Sequence, residues 1–187
     1  FRRRTLYRSA EVCGLNMNFS IRFAAPEDLD SILWIMDRAC RSVPDPAWFV
    51  ASGRDFLQDC LAGKGFILLA EGLTGPSGFL VVKYPGDEPG HLGRDAGLPE
   101  AELPRCAYMD TVAVLPEARG NRLHIRLLAA AEQALSGSSR CHWLATVHPQ
   151  NRYSLQNFTA CGYRVAATRK KYGGLDRHIL YKRARLL

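Results

Sequence analysis

One stretch constrains the fold more than any other: Thr111-Val-Ala-Val-Leu-Pro-Glu-Ala-Arg-Gly-Asn-Arg-Leu-His124. An apolar, β-rich run over residues 108–115 is stopped by Pro116, which has no N–H to give a sheet. A turn holding Arg119-Gly120-Asn121 follows. Residues 119–135 then read as a helix, with Leu123, Leu127, Ala130, Ala131 and Ala134 on one face and Gly137 as its end. Another strand, residues 141–147, comes after it. The unpaired N–H groups of such a helix start converge, and its dipole adds about half a positive charge there, so the turn suits a phosphate. Gly120 leaves the backbone open to a ligand because no Cβ stands in the way. Arg119 and Arg122 can add charge-assisted bonds to the same anion.

The rest of the chain surrounds this unit with strands and helices. Residues 20–24 alternate apolar and polar, as a half-buried strand does. Pro26, with Glu27 and Asp28, starts a helix whose core face is Leu29, Ile32, Leu33, Met36 and Ala39. Asp45-Pro46 predicts a second helix carrying Phe49, Phe56, Leu57 and Cys60 inward. Residues 65–71 and 78–84 read as a hairpin, and residues 85–104 as a long loop of the kind that is usually functional or mobile. A helix over 151–161, capped by Asn151, and two strands around Tyr172-Gly-Gly-Leu175 close the chain. The order predicts an α/β chain with a mixed sheet (α+β mixed sheet) flanked by helices.

At 187 residues this is one domain. No apolar run approaches the roughly 18 residues that a membrane span needs. The net charge of +7 would by itself suggest an anionic partner such as nucleic acid. Its distribution argues otherwise. The first sixteen residues hold four arginines against Glu11, and the segment from Arg164 holds eight basic residues against Asp176, so the body between them is mildly acidic. That body has no basic stripe interleaved with aromatics, and nucleic acid is not the expected partner. Residues 1–16 are set apart as a basic leader, expected to be disordered, and residues 17–187 as the folded domain. The six cysteines form no C-x-x-C pair, which suggests neither a metal site nor a redox motif; reduced thiols in a cytoplasmic protein are expected.

A second motif lies in Asn151-Arg-Tyr-Ser-Leu-Gln-Asn-Phe158, continuing to Gly162-Tyr163, which puts Asn151 at a strand exit and Ser154 one turn later. Together the two segments resemble the GNAT superfamily of acetyl-CoA-dependent N-acetyltransferases, over about residues 20–183. Residues 84–87, 92–98 and 171–175 resemble those of a bacterial-type branch of it. The resemblance implies a GNAT-like fold in which the fourth and fifth strands, β4 (108–115) and β5 (141–147), splay apart. The pantetheine arm of acetyl-CoA would lie in that gap, bonded to backbone groups of Val112 and Val114, with Ala113 in the same binding set. Its pyrophosphate would sit on the turn Arg119, Gly120, Asn121, Arg122, Leu123 and His124. Asn151, Ser154 and Phe158 would flank the arm.

The chain departs from the pattern in three places. The family turn carries Gly and then Gly or Ala where this sequence has Arg122 and His124; the reading taken is that binding is kept, with a guanidinium on the phosphate. The family's acid tyrosine, seven residues after the asparagine, is Phe158 here, and its strand glutamate falls near Thr146. Attack on a thioester needs a neutral amine, so some group must take a proton. Asp110 is the candidate base, the alternative being a strand-end carboxylate that caps a loop. Tyr153, Tyr163 and Tyr172 are candidate proton donors or packed aromatics. Trp48, Tyr84 and Trp143 could shape a pocket or fill the core; His148 could reach the cleft or be a satisfied loop residue; Asp45, Asp55 and Asp59 could draw a cationic acceptor or be a solvated face.

The expected activity is acetyl transfer from acetyl-CoA to a primary amine of a small molecule or peptide, without metal, nucleic acid or membrane, by a monomer or homodimer. The alternative is an acyl-CoA-binding or sensing domain that has lost its proton handling.

Overall fold

The computed structural model describes residues 5–7 and 18–184. Strand β1 is Ser20–Phe23, β2 Gly65–Gly72, β3 Gly75–Lys83, β4 Cys106–Val114, β5 His142–Val147, β6 Arg164–Lys171 and β7 Leu175–Arg183. The sheet order is β1-β2-β3-β4-β5-β7-β6, with a three-residue strand, Thr5–Tyr7, antiparallel to β1 at the edge. Neighbours are antiparallel except β4 and β5, which are parallel. The rest of the segment set apart as a leader lies outside the described residues.

Helix α1, Leu29–Arg41, buries Leu29, Ile32, Ile35, Met36 and Ala39 against the sheet; each of the larger four removed from water contributes about 1.5–3 kcal/mol. Helix α4, Leu123–Leu135, adds Leu123, Leu127, Leu128, Ala131 and Leu135 to the same core. A smaller cluster of Leu92, Cys106, Tyr108, Leu144 and Ile179 forms apart from this core. Helices α2, Arg54–Asp59, α3, Leu92–Asp95, and α5, Arg152–Ala160, complete the set.

Four boundaries differ from the sequence-based expectation. The Asp45-Pro46 signal opens only one 3-10 turn, Pro46–Trp48, with Asp45 Oδ1 accepting from the Ala47 N–H at 2.8 Å; the chain then turns extended at Phe49, and α2 waits until Arg54. The hairpin is tighter, because β3 starts at Gly75, whose φ of 112° suits only glycine. The loop 85–104 holds α3 and a 3-10 stretch, Glu100–Arg105, pinned where the Leu92 N–H donates to the Tyr108 hydroxyl at 2.7 Å. Helix α4 begins at Leu123 instead of Arg119, because Gly120 (φ 82°) and Arg122 (φ 55°) both adopt left-handed backbone that a helix cannot contain.

Candidate active site

The parallel pairing of β4 and β5 lasts three rungs: Cys106 with His142, Ala107 with Trp143, and Tyr108 with Leu144. Beyond Tyr108 the strands part. The cause is local. The β3–β4 register steps from Val82↔Met109 to Val81↔Thr111 and leaves Asp110 as an extra residue, and a bulge of this kind bends and twists its strand. Further along, the Leu115 N–H donates to Ser77 carbonyl at 2.9 Å, toward β3. By the alternation of an antiparallel ladder, the backbone groups of Ala113 also face β3, and those of Val112 and Val114 face the gap.

The gap is the floor of a cleft of about 1030 Å³. It brings together Asp110, Val112, Ala113, Val114, Arg119, Gly120, Arg122, Leu123, His124, Asn151, Ser154 and Phe158 from the sequence-based set. Asn121 does not line it; its side-chain amide donates to the Ala118 and Arg119 carbonyls and so holds the turn. At one end the first N–H groups of α4 lack intrahelical acceptors. Nothing lies within 4 Å of where a Cβ on Gly120 would stand, so the backbone there is open. His124 Nε2 is buried without a hydrogen-bond partner, its ring edge-on to Phe158 at 5.3 Å, and burial lowers the imidazole pKa to about 4. Asn151 spends its side-chain oxygen capping α5 through the Ser154 N–H at 3.1 Å, which leaves its amide N–H groups for a ligand.

At the other end, the Thr111 hydroxyl donates to Asp110 Oδ2 at 3.0 Å, and the Ser52 hydroxyl lies 3.2 Å from Thr111 Oγ1. Burial holds the Asp110 carboxyl above the usual carboxylate range. The Tyr172 hydroxyl is 3.0 Å from Thr146 Oγ1, and burial raises its pKa above that of a free tyrosine. Of the other tyrosines, Tyr163 is packed against Phe158 at 5.1 Å and away from the cleft, and Tyr153 lines the cleft but is 78% exposed.

The remaining candidates separate as clearly. Trp48 lines the cleft; Trp143 is core, and Tyr84 stacks under the Arg140 guanidinium at 4.0 Å. His148 does not line the cleft but stacks on Trp48, ring centres 6.3 Å apart. Asp45, Asp55 and Asp59 are absent from the lining, Asp45 capping its turn and Asp59 pairing with Lys64. Ser52, Lys83, Asn157 and Arg177 line the cleft without having been singled out in the sequence. Arg177 left a signal: it shares the inward phase of β7 with buried Ile179, where a charge is out of place. Away from the cleft, Glu102, Cys141 and His142 come within metal-ligating distance of one another, with His142 Nε2 bonded to Glu102 at 2.7 Å. Cys40, Cys60, Cys106, Cys141 and Cys161 are free thiols; Cys13 lies outside the described residues. None of the described helices is long and apolar enough to cross a membrane.

The arrangement has known counterparts. The fold matches an N-acetyltransferase from Staphylococcus aureus Mu50 (TM-score 0.69, 17% identity, 90% of this chain and 99% of that one). It also matches yncA of Salmonella typhimurium, solved with its cofactor acetyl-CoA (TM-score 0.67, 18% identity, 91% and 96%). A third match is the ribosomal-protein-alanine N-acetyltransferase of Brucella melitensis (TM-score 0.65, 19% identity, 87% and 98%). No curated protein sequence matches this chain. The pattern of the acetyltransferase (GNAT) family matches residues 29–163, and the chain belongs to that family.

Proposed function

We propose that this protein transfers an acetyl group from acetyl-CoA to a primary amine of a small molecule or peptide. The observation that carries the reading is the open face of β4: past Tyr108 the backbone groups of Val112 and Val114 face a cleft instead of a strand, and the cleft ends on a glycine turn and a helix start. A pantetheine arm offers amides that suit such an edge, and a pyrophosphate suits such a turn. The unpartnered His124 Nε2 and the open space over Gly120 fit the same group. Val112 and Val114 would hold the arm, Ala113 between them keeping its backbone on β3; Arg119, Gly120, Arg122, Leu123 and His124 the phosphates, with Asn121 holding their turn; Asn151, Ser154 and Phe158 the side of the arm.

Acetyl-CoA supplies an acyl carbon open to attack by an amine. Asp110, buried and raised in pKa, takes the proton of the incoming ammonium, directly or through water. The Val114 N–H, facing the gap, is a donor for negative charge on the carbonyl oxygen. The Tyr172 hydroxyl, kept protonated by burial, gives the leaving sulfur its proton and is restored, through water, by the proton that the acylated nitrogen sheds as it becomes an amide. Free thiols suit the reducing cytoplasm in which we place the enzyme.

Thermal unfolding tests cofactor binding: acetyl-CoA at 100 times its Kd should stabilise the fold by about 2.7 kcal/mol. Thiol release from acetyl-CoA over a panel of amines tests transfer. No thermal shift at saturating acetyl-CoA refutes the whole reading. A shift without thiol release for any amine leaves the binding domain that has lost its proton handling.

A further inference from the structure

Arg177 is a charge without a counter-charge. Only 2% of its surface is exposed, and it lines the cleft. One guanidinium nitrogen donates to the Ala47 carbonyl at 2.7 Å, the other to its neighbour Asp176's carbonyl at 2.8 Å, and the Tyr172 ring centre lies 5.5 Å away. Among the described residues no carboxylate pairs with it. The contrast is Arg22, also buried, which holds Asp28 and Glu71 together through four hydrogen bonds. A buried ion costs several kcal/mol unless it is paired, and a guanidinium has five donors, of which two are used here.

A second group on the same wall is also unsatisfied. Trp48 follows Ala47 directly, lines the cleft, and buries its indole N–H without an acceptor. The cleft as a whole lacks acids: its charged lining is Lys83, Arg119, Arg122 and Arg177 against Asp110 alone, and Lys83 is already held by Glu88 at 2.5 Å. The phosphate turn cannot be what Arg177 awaits. Tyr172, which stacks on Arg177, is in electrostatic reach of Asp110, and from Asp110 to Val114 the strand runs about 13 Å before the turn begins.

We propose that the acceptor amine carries a carboxylate, held by the guanidinium fork of Arg177 with the Trp48 N–H beside it. Phe49 and Phe56 in the same lining add apolar surface, so amino acids with an apolar side chain fit best. The carboxylate anchors the acceptor; the amine is the group acetylated. This inference rests on the reading of the protein as an acetyl-CoA-dependent N-acetyltransferase.

The test compares phenylalanine with its methyl ester and with phenethylamine, and leucine with its methyl ester, by thiol release from acetyl-CoA on the full chain. The acids should exceed the partners that lack a carboxylate in kcat/KM by about tenfold or more, the value of one charge-assisted contact. Arg177→Gln should raise KM for the acids by a similar factor and abolish the preference, with KM for acetyl-CoA held within about twofold. Arg177→Lys keeps the charge and should keep part of the preference, which guards against a variant that folds poorly. Esters or simple amines that serve as well as the acids, or an unchanged KM in Arg177→Gln, overturn the inference while acetyl transfer stands. Should no amine release thiol, titrations of N-acetylphenylalanine and its methyl ester in the presence of CoA decide. Tighter binding of the acid, lost in Arg177→Gln, supports the carboxylate site; equal binding or none overturns it.

Discussion

Thr111 donates its hydroxyl hydrogen to Oδ2 of Asp110 at 3.0 Å, so the contact from Ser52 must run toward Thr111, and the three residues form one chain of donors ending on the carboxylate. That chain fixes a carboxylate whose burial raises its pKa. The folded protein therefore binds this proton more tightly than the unfolded chain. Its stability falls as pH rises through the raised pKa, and the penalty is absent below the unfolded value. Asp110→Asn can still accept from Thr111. It should raise Tm at pH 7, lower kcat by about 10²-fold, and remove the acid limb of the rate profile. A thermal melt and a pH series of kcat/KM read both; an unchanged profile returns Asp110 to a structural carboxylate.

His124 has the opposite sign. Burial lowers its pKa to about 4, so the fold excludes the proton that the unfolded chain takes up near 6.5. The stability it contributes is present above pH 6.5 and lost as pH falls toward 4, by up to about 3 kcal/mol. His124→Ala should flatten Tm between pH 7 and pH 4 relative to the parent. If parent and variant lose Tm in parallel, the imidazole is not what titrates.

The backbone of the β4 turn was legible because Pro116 and Gly120 impose local requirements that no distant contact can change. The start of α4 was not, since the left-handed backbone at Arg122 is carried by a residue that normally avoids it. Bulging at Asp110 is likewise a property of the pairing with β3, not of Asp110 itself. Arg177 shows the limit most plainly: its role depends on Ala47, 130 positions earlier, and only the inward phase of its strand hinted at it.

Arg122 occupies a glycine's conformation, with φ 55°. Left-handed backbone costs a non-glycine residue about 1–2 kcal/mol, part of which glycine returns through its freer unfolded chain. Arg122→Gly should therefore leave Tm unchanged or raise it by about 2–4 °C. If the guanidinium meets the pyrophosphate, KM for acetyl-CoA should rise several-fold in the same variant. A lower KM would mean instead that the arginine crowds the turn.

Gly120 separates ligand approach from packing. A methyl group there meets no protein atom within 4 Å, but φ of 82° strains any L-residue. Gly120→Ala should cost about 1 kcal/mol of stability and, if the pyrophosphate passes over this backbone, raise KM for acetyl-CoA far more than it changes Tm. Titration of CoA followed by heat measures the binding directly; unchanged affinity would take the phosphate off this turn.

The Tyr172 hydroxyl lies 3.0 Å from Thr146 Oγ1, on the wall that also carries Arg177. Burial raises its pKa, so it remains a donor throughout neutral pH. A proton given to the leaving sulfur acts only in the transition state, and losing such a donor costs about 10²-fold. Tyr172→Phe should thus lower kcat and kcat/KM together while leaving KM for both substrates within about threefold. Thr146→Val, which removes only the neighbour that orients the hydroxyl, should lower kcat less. An equal rise in acceptor KM with kcat intact would make Tyr172 part of the acceptor wall, and Tyr153 would become the donor to test next.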